Sequence, residues 1–148
     1  MFRGINSITL DVKGRVAMPS RYRELLQTSL VVTIDTEDKC LLLYTAGEWR
    51  RIEESLQKLP SFNPAARRIQ RLLIGHATDV DMDAQGRILL PVELRNYAEL
   101  QKQAVLIGQG NKFEMWDESL WQTKRNEWLL DEANHHDNLP DEMKTFSL

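Results

Sequence analysis

The chain contains the same nine-position pattern twice, with an offset of 72 residues. DVKGRVAMP begins at Asp11 and DAQGRILLP begins at Asp83. Both stretches have Asp, two variable residues, Gly, Arg, three mostly apolar residues and Pro. Similarity at a fixed offset is typical of an internal duplication. The chain is therefore expected to fold from two copies of one structural unit.

The match extends without a gap as far as Trp49, which aligns with Trp121. The identical pairs are Asp11 and Asp83, Gly14 and Gly86, Arg15 and Arg87, Pro19 and Pro91, and Arg23 and Arg95. Upstream, Gly4 aligns with Gly75 only if the spacing changes by one residue. We predict a first unit at 1–60, a linking helix at 61–76, a second unit at 75–130 and an acidic C-terminal tail at 131–148.

Each unit is predicted to begin with a hairpin and a short helix. Gly14 supplies the positive φ that a tight turn needs, and the Asp11 carboxylate can accept hydrogen bonds from turn amides. Pro19 tolerates the first turn of a helix. Two short β-rich runs and an amphipathic helix follow, in which the spacing of Trp49, Trp121 and Trp128 favours core positions.

The linking segment NPAARRIQRLLIGHA predicts a helix between the units, with Asn63 as N-cap and Pro64 at the first helical position. Apolar residues trace one face of this helix, and three arginines trace another. The basic face, Arg67, Arg68 and Arg71, is either solvated or in contact with phosphates.

Charge is distributed unevenly along the chain. At 148 residues and 42% hydrophobic composition, the chain can bury an ordinary core, and its net charge is −3. Residues 1–76 hold 12 Lys and Arg against 8 Asp and Glu, whereas residues 77–148 hold 7 against 14. A polyanion would therefore meet the first half more favourably than the second.

Other features of the sequence indicate in which compartment the protein is found and whether it has catalytic chemistry. The N-terminal MFRGINSITL lacks the apolar run of a signal peptide, no stretch approaches the length of a membrane helix, and Cys40 has no cysteine partner, so we expect a cytoplasmic protein. No nucleophile, metal cluster or phosphate-binding glycine loop is apparent in the sequence. We expect no catalysis, no cofactor and no metal, although His135, His136 and Asp137 offer an adventitious metal contact.

DVKGRVAMPSRYR and DAQGRILLPVELR resemble the hairpin signature of the AbrB-like swapped-hairpin transcription factors. Two such units in one chain, with FRG near the start, NP-x-x-RR-x-QR-x-L-x-G-H-A in the middle and NKFE-x-W later, resemble the MraZ family. The resemblance implies an α+β fold with a pseudo-twofold, duplicated swapped-hairpin β-barrel core and flanking helices. It also implies a ring-shaped homo-oligomer and repression of the division and cell-wall gene cluster through repeated promoter boxes of double-stranded DNA.

Within this interpretation, the first unit is predicted to contact DNA. Lys13 lies at the hairpin tip and Arg15 starts the next strand, and arginine can make bidentate bonds to guanine. The second unit has Gln85 and Glu93 in place of Lys13 and Arg21. The predicted DNA-binding residues are Arg15, Lys13, Arg3, Arg21 and Arg23, and the predicted structural ones are Asp11, Gly14, Asp83, Gly86, Arg87 and Arg95.

Two alternatives stay open. Asp11 and Arg15, four residues apart across a tight turn, would also hold the hairpin together simply by pairing with each other or with the corresponding residues of the other unit. In place of a cytoplasmic, nucleoid-associated regulator, the chain could be an antitoxin-like or scaffolding module whose acidic tail binds a protein partner. Strong salt dependence of DNA binding would favour the regulator.

Overall fold

The structure is a computed structural model that describes residues 1–26, 29–135 and 140–147. The chain divides into two compact parts, a main body of residues 1–118 and a C-terminal segment of residues 119–148. Both sequence copies contribute their strands to the main body. The four boundaries drawn from the sequence stay predictions.

The chain repeats one order of elements. The first copy contains β1 (Phe2–Thr9), β2 (Arg15–Ala17), α1 (Ser20–Leu26), β3 (Ser29–Ile34), β4 (Leu41–Thr45) and α2 (Ala46–Gln57). After the linking helix α3 (Pro64–His76), the second copy contains β5 (Thr78–Asp81), β6 (Arg87–Leu89), α4 (Val92–Tyr97), β7 (Gln103–Gly110), β8 (Phe113–Asp117) and α5 (Glu118–His135). The predicted turn, short helix, pair of strands and final helix are thus present in both copies. The predicted hairpin ladder is not formed among the described residues, because the strands beside each turn pair with strands of the other copy.

Strand pairing crosses between the copies. The six-stranded antiparallel sheet has the order β1-β7-β8-β4-β3-β5, and β2 pairs with β6 in a separate two-stranded sheet. The first strand of each copy therefore lies against the third strand of the other copy. The α+β class is confirmed. The six-stranded sheet ends at β1 and β5 and is not a closed barrel, so the predicted barrel is not confirmed.

The registers follow the 72-residue offset. On β2 and β6, Val16 lies opposite Ile88, its counterpart in the second copy. On β4 and β8, Leu42 lies opposite its counterpart Glu114. Because a residue faces its own counterpart in each of these two ladders, the two copies are related by a local twofold axis at both ladders.

Aromatic rings from both copies meet in the core. Phe2 on β1 stacks on Phe113 on β8 with ring centroids 4.3 Å apart, and Tyr22 on α1 meets Phe113 edge-on at 4.8 Å. All three rings are buried. Aromatic pairs add stabilisation beyond the apolar area they bury, so this cluster joins the two copies.

The linking helix α3 begins as the sequence predicts. Asn63 Oδ1 accepts hydrogen bonds from the backbone N–H of Ala65 at 2.9 Å and of Ala66 at 3.3 Å, and Pro64 follows the cap. The helix is tied to the sheet by Thr33, whose hydroxyl donates to the Leu73 carbonyl. The exposed residues on its basic face are Arg67, Arg68 and Arg71.

Two sequence predictions about particular residues are wrong. Gly75 lies in α3 whereas Gly4 lies in β1, so the two glycines do not correspond; the counterpart of β1 is β5. Trp49 is buried against Tyr44, as predicted, but Trp128 is 40% exposed. Helical spacing alone does not reveal whether another element covers a residue.

The acidic tail predicted at 131–148 begins inside α5, which runs to His135, and residues 140–147 are exposed around a 3₁₀ turn at Asp141–Met143. The metal contact considered at His135, His136 and Asp137 lies outside the residues whose side chains the structure describes. None of the described helices has the length and apolar character needed to cross a membrane.

Candidate nucleic-acid interface

The first hairpin turn is organised by the Asp11 carboxylate. Oδ1 accepts hydrogen bonds from the backbone N–H of Lys13 at 2.9 Å and of Arg15 at 2.8 Å. Oδ2 accepts from Arg15 Nε at 2.7 Å. Gly14 has a φ of +85°, which only glycine adopts at low cost. One carboxylate thus holds both the backbone of the turn and the arginine that follows it.

The second turn repeats this geometry atom for atom. Asp83 Oδ1 accepts from the N–H groups of Gln85 and Arg87, both at 2.9 Å, and Oδ2 accepts from Arg87 Nε at 2.9 Å. Gly86 has a φ of +77°. The ion pair between Asp and Arg within the turn, which the sequence left as an alternative, is therefore formed in both copies. Such pairing does not by itself distinguish a DNA-contacting turn from a purely structural one.

The turn carboxylates are stabilised in their charged form. The pKa of Asp11 is lowered, chiefly by the backbone N–H of Arg15 and further by the Arg15 side chain and the N–H of Lys13. Desolvation opposes this lowering and is the second-largest influence on the pKa. The pKa of Asp83 is lowered by the corresponding groups. Hydrogen bonds to the charged form of a carboxylate account for this direction.

The two turns differ at their tips. Val12 and Lys13 are exposed in the first turn, and Ala84 and Gln85 occupy the same positions in the second. The Arg15 ion pair uses Nε, and its two terminal nitrogens make no hydrogen bond within the described part of the protein. These nitrogens are the ones that form a bidentate pair with a guanine edge.

Arg3 and Arg21, also predicted to bind DNA, lie at β1. Arg3 is exposed on this strand, and its carbonyl accepts a hydrogen bond from the Tyr22 hydroxyl. Arg21 on α1 donates through Nη2 to Asn6 Oδ1 at 2.6 Å. Arg21 is therefore held against β1, which is an edge strand of the six-stranded sheet. In the sequence it follows the turn that carries Lys13. Contact of Arg3 and Arg21 with DNA stays a prediction.

Arg23, the fifth predicted DNA contact, lies against the turn of the other copy. Its Nε donates to the Met18 carbonyl at 2.9 Å, and a Cβ built on Gly86 would lie 2.7 Å from its Cδ. Arg95 has the same relation to Gly14, with Nε donating to the Leu90 carbonyl at 3.1 Å. The identical spacing of the two arginines was the only signal in the sequence, and it did not reveal that the contacts cross between copies.

Acidic residues also border the first turn. Lys13 lines one surface depression together with Asp79 and Asp81 of β5. These two acids precede the second turn in the chain, but the exchange of first strands also brings them to the first turn. The basic and acidic halves of the sequence are therefore not separated in space at this site, contrary to the simple expectation from charge.

Among the described residues, Asp35, Cys40 and Glu114 bring three metal-type donor atoms within 4.8 Å of one another. Cys40 Sγ donates to Asp35 Oδ2 at 3.6 Å, and Trp116 Nε1 donates to Glu114. Burial, with the carboxylates of Glu114 and Asp35, raises the pKa of the Cys40 thiol. The hydrogen bonds from Cys40 to Asp35 and from Trp116 to Glu114 thus engage both carboxylates of the cluster within the protein.

Comparison with known proteins places the chain in a family. A family model described as "MraZ protein, putative antitoxin-like" matches residues 1–72 and again residues 73–139. A protein of Legionella pneumophila named Transcriptional regulator MraZ is 67% identical, and proteins of the same name from Coxiella burnetii and Halorhodospira halophila are 55% and 50% identical. Each alignment covers the full length of both chains. With two copies of the unit matched separately and full-length relatives at this identity, the chain belongs to the MraZ family.

Proposed function

We propose that this protein is a transcriptional regulator that binds double-stranded DNA through its first hairpin turn. The observation that carries the proposal is a rigid turn with Lys13 exposed at its tip and the terminal nitrogens of Arg15 left to a ligand, in a chain whose full-length relatives are named transcriptional regulators. Its target is the promoter of the division and cell-wall gene cluster, its own gene included, which it represses. It acts in the cytoplasm, associated with the nucleoid.

The geometry suits such a contact. The major groove of B-DNA is about 12 Å wide and admits a two-stranded β element. Lys13 supplies charge for a phosphate, and Arg15 supplies a fork for a base edge. The Asp11 carboxylate fixes the direction of that fork before DNA arrives, which lowers the entropy cost of binding. Arg3 and Arg21 at β1 and Arg23 at the second turn add positive charge for further contacts with DNA phosphates.

The fold supports a swapped-hairpin relationship between the copies. In the proposal, the second copy provides the partner that a single unit would otherwise obtain from another chain. The pairing of β1 with β7 and of β5 with β3 is consistent with that relationship. Arg87, with Asp83 and Gly86, then mainly completes the fold.

Assembly into a ring is part of the proposal. Leu89 and Val92 line the same depression as Lys13 and are 55% and 60% exposed. Ile5 on the edge strand β1 is also exposed. Neighbouring apolar side chains at a surface often mark a protein interface. In a ring, several first turns would contact several promoter boxes at once.

A cross-linking experiment tests which turn contacts DNA. Cys40 is buried, so Val12→Cys places a single accessible thiol at the tip of the first turn for a photoactivatable, thiol-reactive cross-linker. Ala84→Cys does the same at the second turn and is the matched control. We expect the label at position 12 to cross-link the upstream DNA of this gene more efficiently than the label at position 84. Equal cross-linking, or none at position 12, would contradict the assignment.

A second candidate function is an antitoxin-like or scaffolding module. It is favoured by the description of the family and by Leu129 and Leu130 of α5, which are exposed. The two functions differ in what Leu129, Leu130 and the acidic tail at 131–148 do. Removing them should leave selective DNA binding intact in the regulator, whereas it should abolish capture of a protein partner in the interaction module. We propose no catalytic activity and no cofactor for either.

A further inference from the structure

Each turn glycine lies against an arginine from the other copy. A Cβ built on Gly14 would lie 2.6 Å from Nε and 2.7 Å from Nη1 of Arg95. A Cβ built on Gly86 would lie 2.7 Å from Cδ of Arg23. Contacts this close leave no room for a side chain, so the guanidinium group of each arginine packs directly on the backbone of the opposite turn.

The backbone beside each arginine is bound to the same turn. The N–H of Leu90 donates to the Gly14 carbonyl at 3.0 Å, and the Leu90 carbonyl accepts from Arg95 Nε at 3.1 Å. In the other copy, the N–H of Met18 donates to the Gly86 carbonyl at 2.9 Å, and the Met18 carbonyl accepts from Arg23 Nε at 2.9 Å. Each glycine is therefore held in two ways. Its carbonyl accepts a hydrogen bond from Leu90 or Met18, and the arginine that packs on it donates to the carbonyl of that same residue.

We infer that Arg95 is a positioning residue that sets the geometry of the first turn from the second copy, and that Arg23 does the same for the second turn. This inference rests on the proposed function, in which the first turn contacts DNA. Asp11 fixes the turn internally, and the contacts at Gly14 help the ladder between β2 and β6 to fix where the turn lies relative to β6 and α4. A DNA-reading group that is displaced by about 1 Å loses much of its benefit, so an external support has a functional consequence.

Lysine cannot replace arginine in this role. The planar guanidinium packs its face on Gly14 while its Nε donates to Leu90, whereas the lysine ammonium is a compact, strongly hydrated charge on a flexible chain. Arg95→Lys keeps the positive charge and removes the packing. A phosphate contact by residue 95 would survive this substitution, but positioning would not.

Amide hydrogen exchange tests the inference without DNA. We expect Arg95→Lys to accelerate exchange in the first turn, at Lys13, Gly14 and Arg15, while exchange in the second turn stays as in the parent protein. We expect Arg23→Lys to give the reverse pattern. Both substitutions remove the same contact, so their effects on the thermal unfolding midpoint should be similar. Faster exchange in both turns, or in the turn of the same copy, would overturn the inference.

Measurements of DNA binding test whether the positioning by Arg95 affects DNA recognition. Arg95→Lys should lower the ratio of affinities for upstream and scrambled DNA by about tenfold, as expected for a displaced bidentate contact, and leave the affinity for scrambled DNA unchanged. If Arg95→Lys keeps the parent ratio of affinities, Arg95 does not position a DNA-reading turn. The same conclusion holds if Arg95→Lys has no effect and Arg95→Ala weakens binding to both DNAs. Failure of the proposed function appears differently, as a parent protein that does not distinguish the two DNAs.

Discussion

Val16 on β2 lies directly opposite Ile88 on β6, and the two residues occupy the same position in the two copies of the repeat. Both side chains are buried. The short ladder between them places the two hairpin turns at its opposite ends, because Arg15 and Arg87 begin antiparallel strands. Any function of the first turn therefore has an internal control, which is the second turn of the same molecule.

The first prediction uses that control. Arg15→Ala should lower the affinity for the upstream DNA by about ten- to a hundredfold, the size expected for losing a bidentate base contact. Arg87→Ala removes the equivalent ion pair and should have a smaller effect. Fluorescence anisotropy measures the affinities, and sedimentation checks that assembly is retained. Equal losses would mean that the arginines only hold their turns, and unchanged affinity of an assembled Arg15→Ala variant would remove this residue from the site.

The second prediction concerns the number of promoter boxes. If several subunits of a ring each contact one box, the later contacts are effectively intramolecular, and affinity should rise by roughly two to four orders of magnitude from one box to several. Binding should also depend on the spacing of the boxes, which sets whether neighbouring turns reach them. Titrations on DNA with one, two and four boxes measure this. Equal affinity for one box and four would count against a multivalent ring.

The third prediction concerns the core. Leu30 on β3 is fully buried, so Leu30→Ala should lower the free energy of unfolding by about 2–5 kcal/mol. Leu25 on α1 is 62% exposed, and Leu25→Ala should change it by less than about 0.5 kcal/mol. Denaturant unfolding of the two variants gives both numbers. A similar loss in both would show that the apolar contacts of the main body are misplaced.

The fourth prediction concerns pH. The pKa of Asp11 in the folded protein should lie below its ordinary value of 3.8. A lowered pKa in the folded state means that folding stabilises the charged carboxylate. The contribution of Asp11 to the free energy of unfolding is therefore present above the ordinary pKa and is lost as pH falls through the folded pKa. NMR titration of the carboxyl carbons measures the shift. Arg15→Gln should raise the pKa only partly, because the backbone N–H of residue 15 is the largest cause and remains.

Much of the local structure is predictable from the sequence because it depends on near neighbours. Asp11 and Gly14 predict the turn, and Asn63 with Pro64 predicts the start of α3, since each feature needs only residues a few positions apart. The 72-residue offset extends the same prediction to the second copy. Local chemistry and the repeat are together sufficient for the order of elements.

The site itself depends on contacts between distant residues, which the sequence does not reveal. Nothing in the first copy indicates that its opening strand pairs with β7, or that Asp79 borders the turn that carries Lys13. Charge alone predicts Arg23 as a DNA contact, which stays a prediction, and does not reveal that its Nε donates to the Met18 carbonyl while its side chain packs on Gly86. The exchange of first strands between the copies accounts for the pairing of β1 with β7 and for the position of Asp79 beside the first turn.

The most direct test of the account is a binding titration of the full chain on its own upstream DNA, against scrambled DNA of the same length, at two salt concentrations. Phosphate contacts release counterions, so the account predicts selective binding to the upstream DNA that weakens steeply as salt rises. Equal and weak binding to both DNAs would contradict the regulator function and would favour a protein-interaction role for the same fold.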